Sequence, residues 1–206
     1  MTLVRLRDDQ GSTLPLYIWL TGILLFAALA FFAFAQGASA RNGAQSAADA
    51  AALAAAQEAR DELTEGLGRA IAAGDGDEWL DWLDGDMAIP AGEAEGAADE
   101  LAAENDSNVT GFMPDEVNGY PGYWVEATTN YTVGDSIIPG TETMHAKARA
   151  TAVIKPRCGL GESADPEKVV EFICDGDDES TEIDPDDFDP EDLPDASDLF
   201  AVHLAK

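Results

Sequence analysis

Residues 11–60 read GSTLPLYIWLTGILLFAALAFFAFAQGASARNGAQSAADAAALAAAQEAR, and this stretch decides the fold. Its first half, 14–35, is uncharged and almost wholly apolar. At 1.5 Å rise per residue, a helix over this segment spans roughly 33 Å, about the thickness of the hydrocarbon core of a bilayer. Pro15 lies in the first turn, where its missing N–H costs least. The sequence therefore predicts one transmembrane helix over residues 14–35, with the lipid bilayer as its partner.

A secretory signal is the second interpretation of the same segment. Arg5 and Arg7 precede it, and Ala38-Ser39-Ala40 has the A-x-A form of a cleavage site. The apolar run exceeds the roughly 7–15 residues of a signal, which favours a retained anchor. The arginines favour a cytoplasmic tail over residues 1–13 and an extracytoplasmic position for everything after Arg41. The expectation is a single-pass cell-membrane protein, with secretion after cleavage at Ala40 as the alternative.

The charge of the chain excludes one class of partner. It has 41 acidic and 11 basic residues, and residues 70–145 hold 17 acidic residues without a Lys or Arg. Such a surface repels nucleic acid, so no nucleic-acid binding is expected. Most of the acidic residues are interpreted as promoting solubility outside the cytoplasm. The sharper alternative is weak calcium binding, for which the candidate ligands are Asp184, Asp186, Asp187 and Asp189, although they do not follow the spacing of a calcium loop.

Catalytic motifs are absent from the sequence. It contains no G-x-S-x-G, H-E-x-x-H or phosphate-binding loop. His145 and His203 have no nucleophile near them in sequence. We therefore expect no enzyme activity, no catalytic residues and no cofactor.

The two cysteines, Cys158 and Cys174, both follow the apolar segment. In an oxidising compartment such a pair predicts one disulfide. On the chain-entropy model, closing a loop of about 15 residues stabilises the fold by roughly 3 kcal/mol. The spacing gives no support for a zinc site.

Strong helix formers continue past the apolar segment. Residues 36–73 predict an alanine-rich extracytoplasmic helix that ends before Gly74-Asp75-Gly76-Asp77. Residues 75–86 have the pattern of a short amphipathic segment, and residues 93–104 place alanines and Leu101 at helical spacing.

Two segments alternate between apolar and polar residues, as strands with one buried face do. They are residues 123–133 and 143–155, and the loop between them contains Pro139-Gly140. They predict an antiparallel hairpin, to which residues 109–113 add a third strand. The fold class expected is α+β, with an exported domain over residues 74–174.

The C-terminal segment has the composition of a disordered chain. Residues 175–198 hold 13 acidic residues and no Lys or Arg. Residues 175–206 are therefore predicted to be an acidic, largely disordered tail, of which only the apolar stretch 199–204 docks on the domain. Removal of the chain after Asp175 is expected to leave the domain folded.

The alanine-rich stretch also resembles a known family. The anchor followed by QSAADAAALAAA is similar to the N-terminal region of TadE/TadG-like proteins of tight-adherence (Flp-type) pilus assembly. In that family a short tail and an apolar helix lead into a stretch of the form Q-x-A-A-D-A-A-A-L-A-A-A. The matching positions are Gln45, Ala47, Ala48, Asp49, Ala50, Ala51, Ala52, Leu53, Ala54, Ala55 and Ala56. The resemblance covers about residues 8–60 and implies a pilin-like or assembly protein.

One position departs from the processed members of that family. They are cut after a glycine that is followed five residues later by glutamate, and Leu16 occupies that place after Gly11. An apolar Leu16 cannot pair with a neighbouring subunit's amino terminus. The resemblance thus favours an unprocessed, TadG-like accessory protein over a polymerising pilin.

Small residues on the alanine-rich helix suggest a contact surface. Side chains without bulk let helix backbones approach closely. The partners expected are other pilus-assembly or pilin-like membrane proteins, and the helix-packing candidates are Ala47, Ala48, Ala51, Ala54 and Ala55. Two alternatives stay open. Alanine also simply makes a strong helix, and the protein as a whole also fits a surface-anchored acidic protein that binds a cation or a cell-wall ligand.

Overall fold

A computed structural model describes residues 13–73, 92–136, 138–161, 170–175 and 180–205. Its first element, α1, is a single uninterrupted helix over Thr13–Ala73. At 1.5 Å per residue it is roughly 90 Å long. Alanine and leucine, both strong helix formers, dominate it, and no proline follows Pro15 within it. The predicted continuation of the apolar helix into the alanine-rich helix is confirmed.

The second helix, α2, spans Gly92–Glu104. Its buried residues are Ala94, Ala98 and Ala102, which are four apart and so lie on one face of the helix. This face joins the core that also contains the alanines of α1. The helix predicted over residues 93–104 is confirmed, whereas the amphipathic segment predicted over 75–86 lies outside the described residues.

Four antiparallel strands form the main sheet in the order β1-β2-β3-β7. They are β1 (Ser107–Val117), β2 (Tyr120–Thr132), β3 (His145–Pro156) and β7 (Phe200–Leu204). The turn between β1 and β2 is Asn118-Gly119, and both residues have positive φ, 58° and 82°. Asparagine followed by glycine is the preferred pair for such a two-residue hairpin turn.

The register of β2 on β3 explains which face is buried. Tyr123, Val125 and Ala127 pair with Ala152, Ala150 and Ala148. The three β2 side chains and Ala152 are fully buried. This is the alternation predicted for residues 123–133 and 143–155, so the antiparallel hairpin, the third strand and the α+β class are confirmed.

A second, three-stranded sheet contains β4 (Cys158–Leu160), β5 (Val170–Cys174) and β6 (Thr181–Ile183). Cys158 pairs with Cys174 in the register of β4 on β5, and the two residues form the disulfide predicted from the sequence. Phe172 and Ile183 from this sheet are buried in the same core as Leu67 and Ile71 of α1.

The described part of the acidic segment is not a disordered tail. After β6 come two 3₁₀ turns, Pro185–Asp187 and Pro190–Asp192, then α3 (Ala196–Leu199) and β7. Leu199 and Phe200 are buried in the core, against which Phe188 and Leu193 also pack. Apolar residues therefore recur often enough between the carboxylates to hold the segment on the domain. The predicted docking of residues 199–204 is confirmed, because β7 extends the main sheet by pairing with β3.

Candidate functional site: the N-terminal helix

The first part of α1 projects away from the rest of the protein. Its large apolar side chains are exposed, from Leu14 at 65 % to Phe34 at 73 %. Within the described residues, α1 is the one helix that is long and apolar enough to cross a membrane, with a mean hydropathy of 2.4 over its most apolar window. Exposed leucine, isoleucine and phenylalanine over this length are unfavourable in water and favourable in hydrocarbon.

Burial along α1 begins at Ala33 and continues to Ile71. Ala33, Ala40, Ala44, Ala47 and Ala51 follow at intervals of three, four or seven residues, and Ala48 is buried beside Ala47, so these residues lie on one side of the helix. The helix therefore changes environment along its length while its backbone stays regular. Residues 13–32 are almost wholly exposed and extend over roughly 30 Å, about one bilayer thickness, and the rest of the helix packs on one side against the domain.

The alanines proposed for partner packing are used mainly within the chain. Ala47 and Ala48 are fully buried against Ala127 of β2, with Ala148 and Ala150 of β3 beside them. Ala51 and Ala55 are fully buried in the main core, whereas Ala54 is only partly buried. Alanine faces on both the helix and the sheet allow a close approach of backbones. The structure thus assigns four of the five candidates to contacts that the sequence analysis did not anticipate, and contact with a partner stays a prediction.

Glycines mark two other close approaches to α1. A methyl group added at Gly43 would overlap the hydroxyl oxygen of Tyr131, at the end of β2. One added at Gly68 would lie 3.2 Å from Leu193 Cδ1 in the acidic segment. The two ends of the domain are therefore held against α1 about seven helical turns apart.

Polar contacts lie beside the interface between α1 and the sheet, near Gln45. Gln45 Nε2 donates to Asp49 Oδ1 at 2.7 Å and to the carbonyl oxygen of Arg149 at 3.3 Å. Arg149 Nε donates to Glu126 Oε2 at 2.8 Å, and its guanidinium lies 5.6 Å from the ring centroid of Trp124. The hydrogen bond from Arg149 lowers the pKa of Glu126, and those from Thr110 and the nearby charges act in the same direction. Gln45 is part of the family-like motif, and its position in this network could not be read from the sequence.

Two carboxyl groups meet between α1 and α2, at Glu62 and Glu93. Burial raises the pKa of Glu62, and a hydrogen bond to Glu93 and the charges of Glu93, Glu58 and Glu65 raise it further. Burial and the charge of Glu62 also raise the pKa of Tyr123. Sequence reasoning missed this cluster because its members are distant in sequence and have no motif around them.

The four candidate calcium ligands lie in or next to the two 3₁₀ turns of the acidic segment. The carboxylate of Asp184 accepts the backbone N–H of Asp186 at 3.0 Å, and the backbone N–H of Asp189 donates to the carboxylate of Asp192 at 3.2 Å. Among the residues the structure describes, no group of three or more His, Cys, Asp or Glu is arranged to hold a metal ion. Calcium binding stays a prediction.

The two histidines, His145 and His203, both lie on strands of the main sheet. His145 Nδ1 lies 2.7 Å from the carbonyl oxygen of Thr129, across the end of the β2–β3 hairpin. His203 lies in β7 opposite Val153. Within the described residues, neither ring makes a hydrogen bond to a nucleophilic side chain.

Comparison with known proteins gives one result that coincides with this geometry. Residues 11–58 match the Tad family, described as putative Flp pilus-assembly TadE/G-like. The match begins beside the exposed apolar part of α1 and ends within the buried alanine-rich part. No curated protein and no solved structure matches the chain. Over residues 11–58, then, the chain is similar to the TadE/G-like proteins of Flp pilus assembly, as its sequence indicated.

Proposed function

We propose that this protein is a membrane-anchored accessory component of Flp-type pilus assembly that acts through protein contacts and without catalysis. The observation that carries the proposal is the family match over residues 11–58, which falls on the one projecting apolar helix of the described chain. An exposed apolar segment joined rigidly to a folded domain is suited to holding that domain at a membrane surface.

The proposed partners are pilus-assembly or pilin-like membrane proteins. The domain encloses most of the alanine face of α1. We therefore propose two other surfaces of α1 as contacts for a partner helix. One surrounds the partly buried Ala54. The other lies in the apolar part, where no atom comes within 4 Å of a methyl group added at Gly22. Small residues at such a place let a second transmembrane helix approach closely.

A retained anchor is part of the proposal. Ala40, the last residue of the A-x-A sequence, is buried in the middle of the uninterrupted helix α1. A peptidase needs an accessible and locally extended backbone, so cleavage there would require the helix to open and part of the core to be lost. This supports an anchored protein over one released after Ala40. We further propose that the amino terminus is cytoplasmic and the domain extracytoplasmic.

Gene deletion tests the proposal in cells that encode this chain. We expect deletion to abolish or sharply reduce pili, and the full chain supplied in trans to restore them. Normal piliation in the deletion strain would contradict the proposal and would leave the surface-anchored binding protein as the better interpretation.

The contact surface is tested by substituting Gly22→Leu, with Ala27→Leu as the matched control. Both changes add an apolar side chain within the apolar part of α1, but at about 140° from each other around the helix. We expect Gly22→Leu to reduce piliation while the amount of protein in the membrane is unchanged, and Ala27→Leu to restore piliation fully. Equal piliation by both variants would show that the surface at Gly22 is not the contact.

A further inference from the structure

The loop between β2 and β3 lies beside the point where the apolar part of α1 ends. We call it the basal loop and define it as residues 133–136 and 138–144. A methyl group added at Gly134 would lie 3.6 Å from Gln36 Nε2, so the backbone of Gly134 lies against the Gln36 side chain. Gln36 is the first residue after the apolar segment 14–35. One turn earlier, inside that segment, Ala33 is already buried.

These contacts fix the depth of the basal loop relative to a bilayer crossed by residues 14–35. The polar interfacial layer on each side of the hydrocarbon is roughly 5–8 Å thick. Gln36 is one helical step, about 1.5 Å, beyond the apolar segment. A loop in contact with Gln36 is therefore at the depth of the lipid headgroups.

Several polar groups of the basal loop are paired within the loop, which lowers the cost of placing it close to hydrocarbon. The backbone N–H of Ile138 donates to Ser136 Oγ at 3.0 Å, and Thr141 Oγ1 donates to the carbonyl oxygen of Ile138 at 3.1 Å. The carboxylate of Glu142 accepts the backbone N–H of Gly140 at 2.9 Å. The loop is thus a closed turn rather than an open stretch of backbone.

Apolar side chains are exposed on this turn. Ile138 is 44 % exposed and Met144 is 56 % exposed. The carbonyl oxygen of Met144 accepts the N–H of Val133 at 2.8 Å, which places Met144 next to the start of the loop. Asp135 is exposed as well. Residues 133–144 contain no Lys or Arg, so the loop has no positive charge with which to attract anionic headgroups.

We propose that the basal loop is a second membrane contact, in which Ile138 and Met144 enter the interfacial layer of the same bilayer that α1 crosses. The inference rests on the proposed membrane anchoring. The contact is apolar and needs no anionic lipid. Because α1 is continuous into the domain, a second contact also sets how the domain is rotated and tilted over the membrane.

Spin labelling of the full chain in phosphatidylcholine nanodiscs tests the inference. Both native cysteines are in the disulfide, so a cysteine introduced by substitution is the one reactive thiol when the bond is kept oxidised. The test positions are Ile138→Cys and Met144→Cys. The matched control is Met113→Cys, since Met113 is 53 % exposed but lies on β1 opposite Trp124, well up the sheet from the basal loop. Leu24→Cys reports on the apolar segment itself.

We expect labels at positions 138 and 144 to be more accessible to oxygen than to a water-soluble nickel chelate, as at position 24, and the label at position 113 to show the reverse. Added phosphatidylglycerol should leave these values unchanged. Labels at 138 and 144 that behave like the one at 113, while 24 is in lipid, would overturn the inference alone. A water-exposed label at 24 would overturn the anchoring. A membrane signal at 138 and 144 that requires phosphatidylglycerol would overturn the apolar character of the contact.

Discussion

At the scale of residues, ionisation of the Glu62 carboxyl group next to Glu93 lowers the stability of the folded protein. Glu62 Oε2 is buried and accepts no hydrogen bond from any residue that the structure describes. Burial, a hydrogen bond to Glu93 and the charges of Glu93, Glu58 and Glu65 raise the pKa of Glu62. The folded protein thus holds the Glu62 proton more tightly than the unfolded chain does. The resulting stability is fully present below the ordinary glutamate pKa of about 4.3 and is lost as the pH rises through the raised pKa.

We expect Glu62→Gln to raise the stability at pH 7, because the amide cannot ionise. The gain should be less than about 1 kcal/mol, which corresponds to at most about 2–4 °C in Tm for a chain of this size. The difference from the wild type should shrink at pH 4. Thermal unfolding of the full chain in detergent at both pH values measures it, with the exposed Glu95→Gln as control. A less stable Glu62→Gln protein at pH 7 would mean that the carboxylate is favourably paired.

Substitution of glycine by alanine is expected to have opposite effects on stability at Gly122 and at Gly96. A methyl group at Gly122, near the start of β2, would overlap the carbonyl oxygen of Ala152 and crowd the backbone of Val153. At Gly96, within α2, it would meet nothing within 4 Å. We expect Gly122→Ala to destabilise the protein by about 1–3 kcal/mol, since a backbone must shift. Gly96→Ala should stabilise it by about 0.5–1 kcal/mol through the gain in helix propensity. Chemical denaturation compares the two, and a neutral Gly122→Ala would show that β2 and β3 are further apart than described.

At the scale of elements, the acidic segment shows where prediction from composition fails. The 13 carboxylates of residues 175–198 repel one another and favour an extended chain, which is why the composition predicts a disordered tail. The competing term is the burial of Leu199 and Phe200, supported by backbone pairing of β7 with β3. Few apolar side chains are needed when each enters an existing core and closes the edge of an existing sheet. Truncation after Asp175 is therefore expected to destabilise the domain, contrary to the expectation from the sequence.

Substituting Phe200→Ala tests the role of β7. Phe200 is 1 % exposed, and removing a buried phenylalanine side chain costs about 3–5 kcal/mol. His203→Ala on the same strand changes an exposed side chain and should alter the stability by less than about 0.5 kcal/mol. The measurement is the free energy of unfolding of each variant. Equal effects of the two substitutions would contradict the docking of β7.

Periodicity predicted the elements better than it predicted their contacts. The alternation in residues 123–133 and 143–155 identified β2 and β3 and the face that each buries. Successive side chains of a strand point to opposite faces, so a buried and an exposed face produce alternating apolar and polar residues. The alanines of α1 gave no such information about their neighbours. Alanine fits against a helix or a sheet, so whether Ala47 and Ala48 face a partner or the chain's own β2 depends on the tertiary arrangement. The Glu62 cluster, made from distant parts of the chain, was invisible for the same reason.

At the scale of the whole molecule, α1 passes from a segment suited to hydrocarbon into a domain that faces water. Residues 14–35 expose apolar side chains suited to hydrocarbon, and from about Ala44 the same helix is part of a water-facing domain of strongly acidic composition. A carboxylate-rich domain is costly to place in lipid and repels anionic headgroups. We therefore expect the domain to lie wholly on one side of the membrane. The arginines at positions 5 and 7 of the sequence favour the cytoplasm for the other side.

We accordingly expect protease added to intact protoplasts to degrade the domain and to leave a membrane-bound stub that contains residues 14–35. Because α1 is regular from Thr13 to Ala73 and packs one face against the domain from about Ala44 onward, the initial cuts should fall outside α1. A tag at the amino terminus should resist the protease until the protoplasts are permeabilised, and a tag at the carboxyl terminus should be lost at once. The reverse pattern would invert the orientation. A soluble product that begins at Arg41 would instead show cleavage after Ala40, and it would lack the membrane segment on which the proposed pilus function depends.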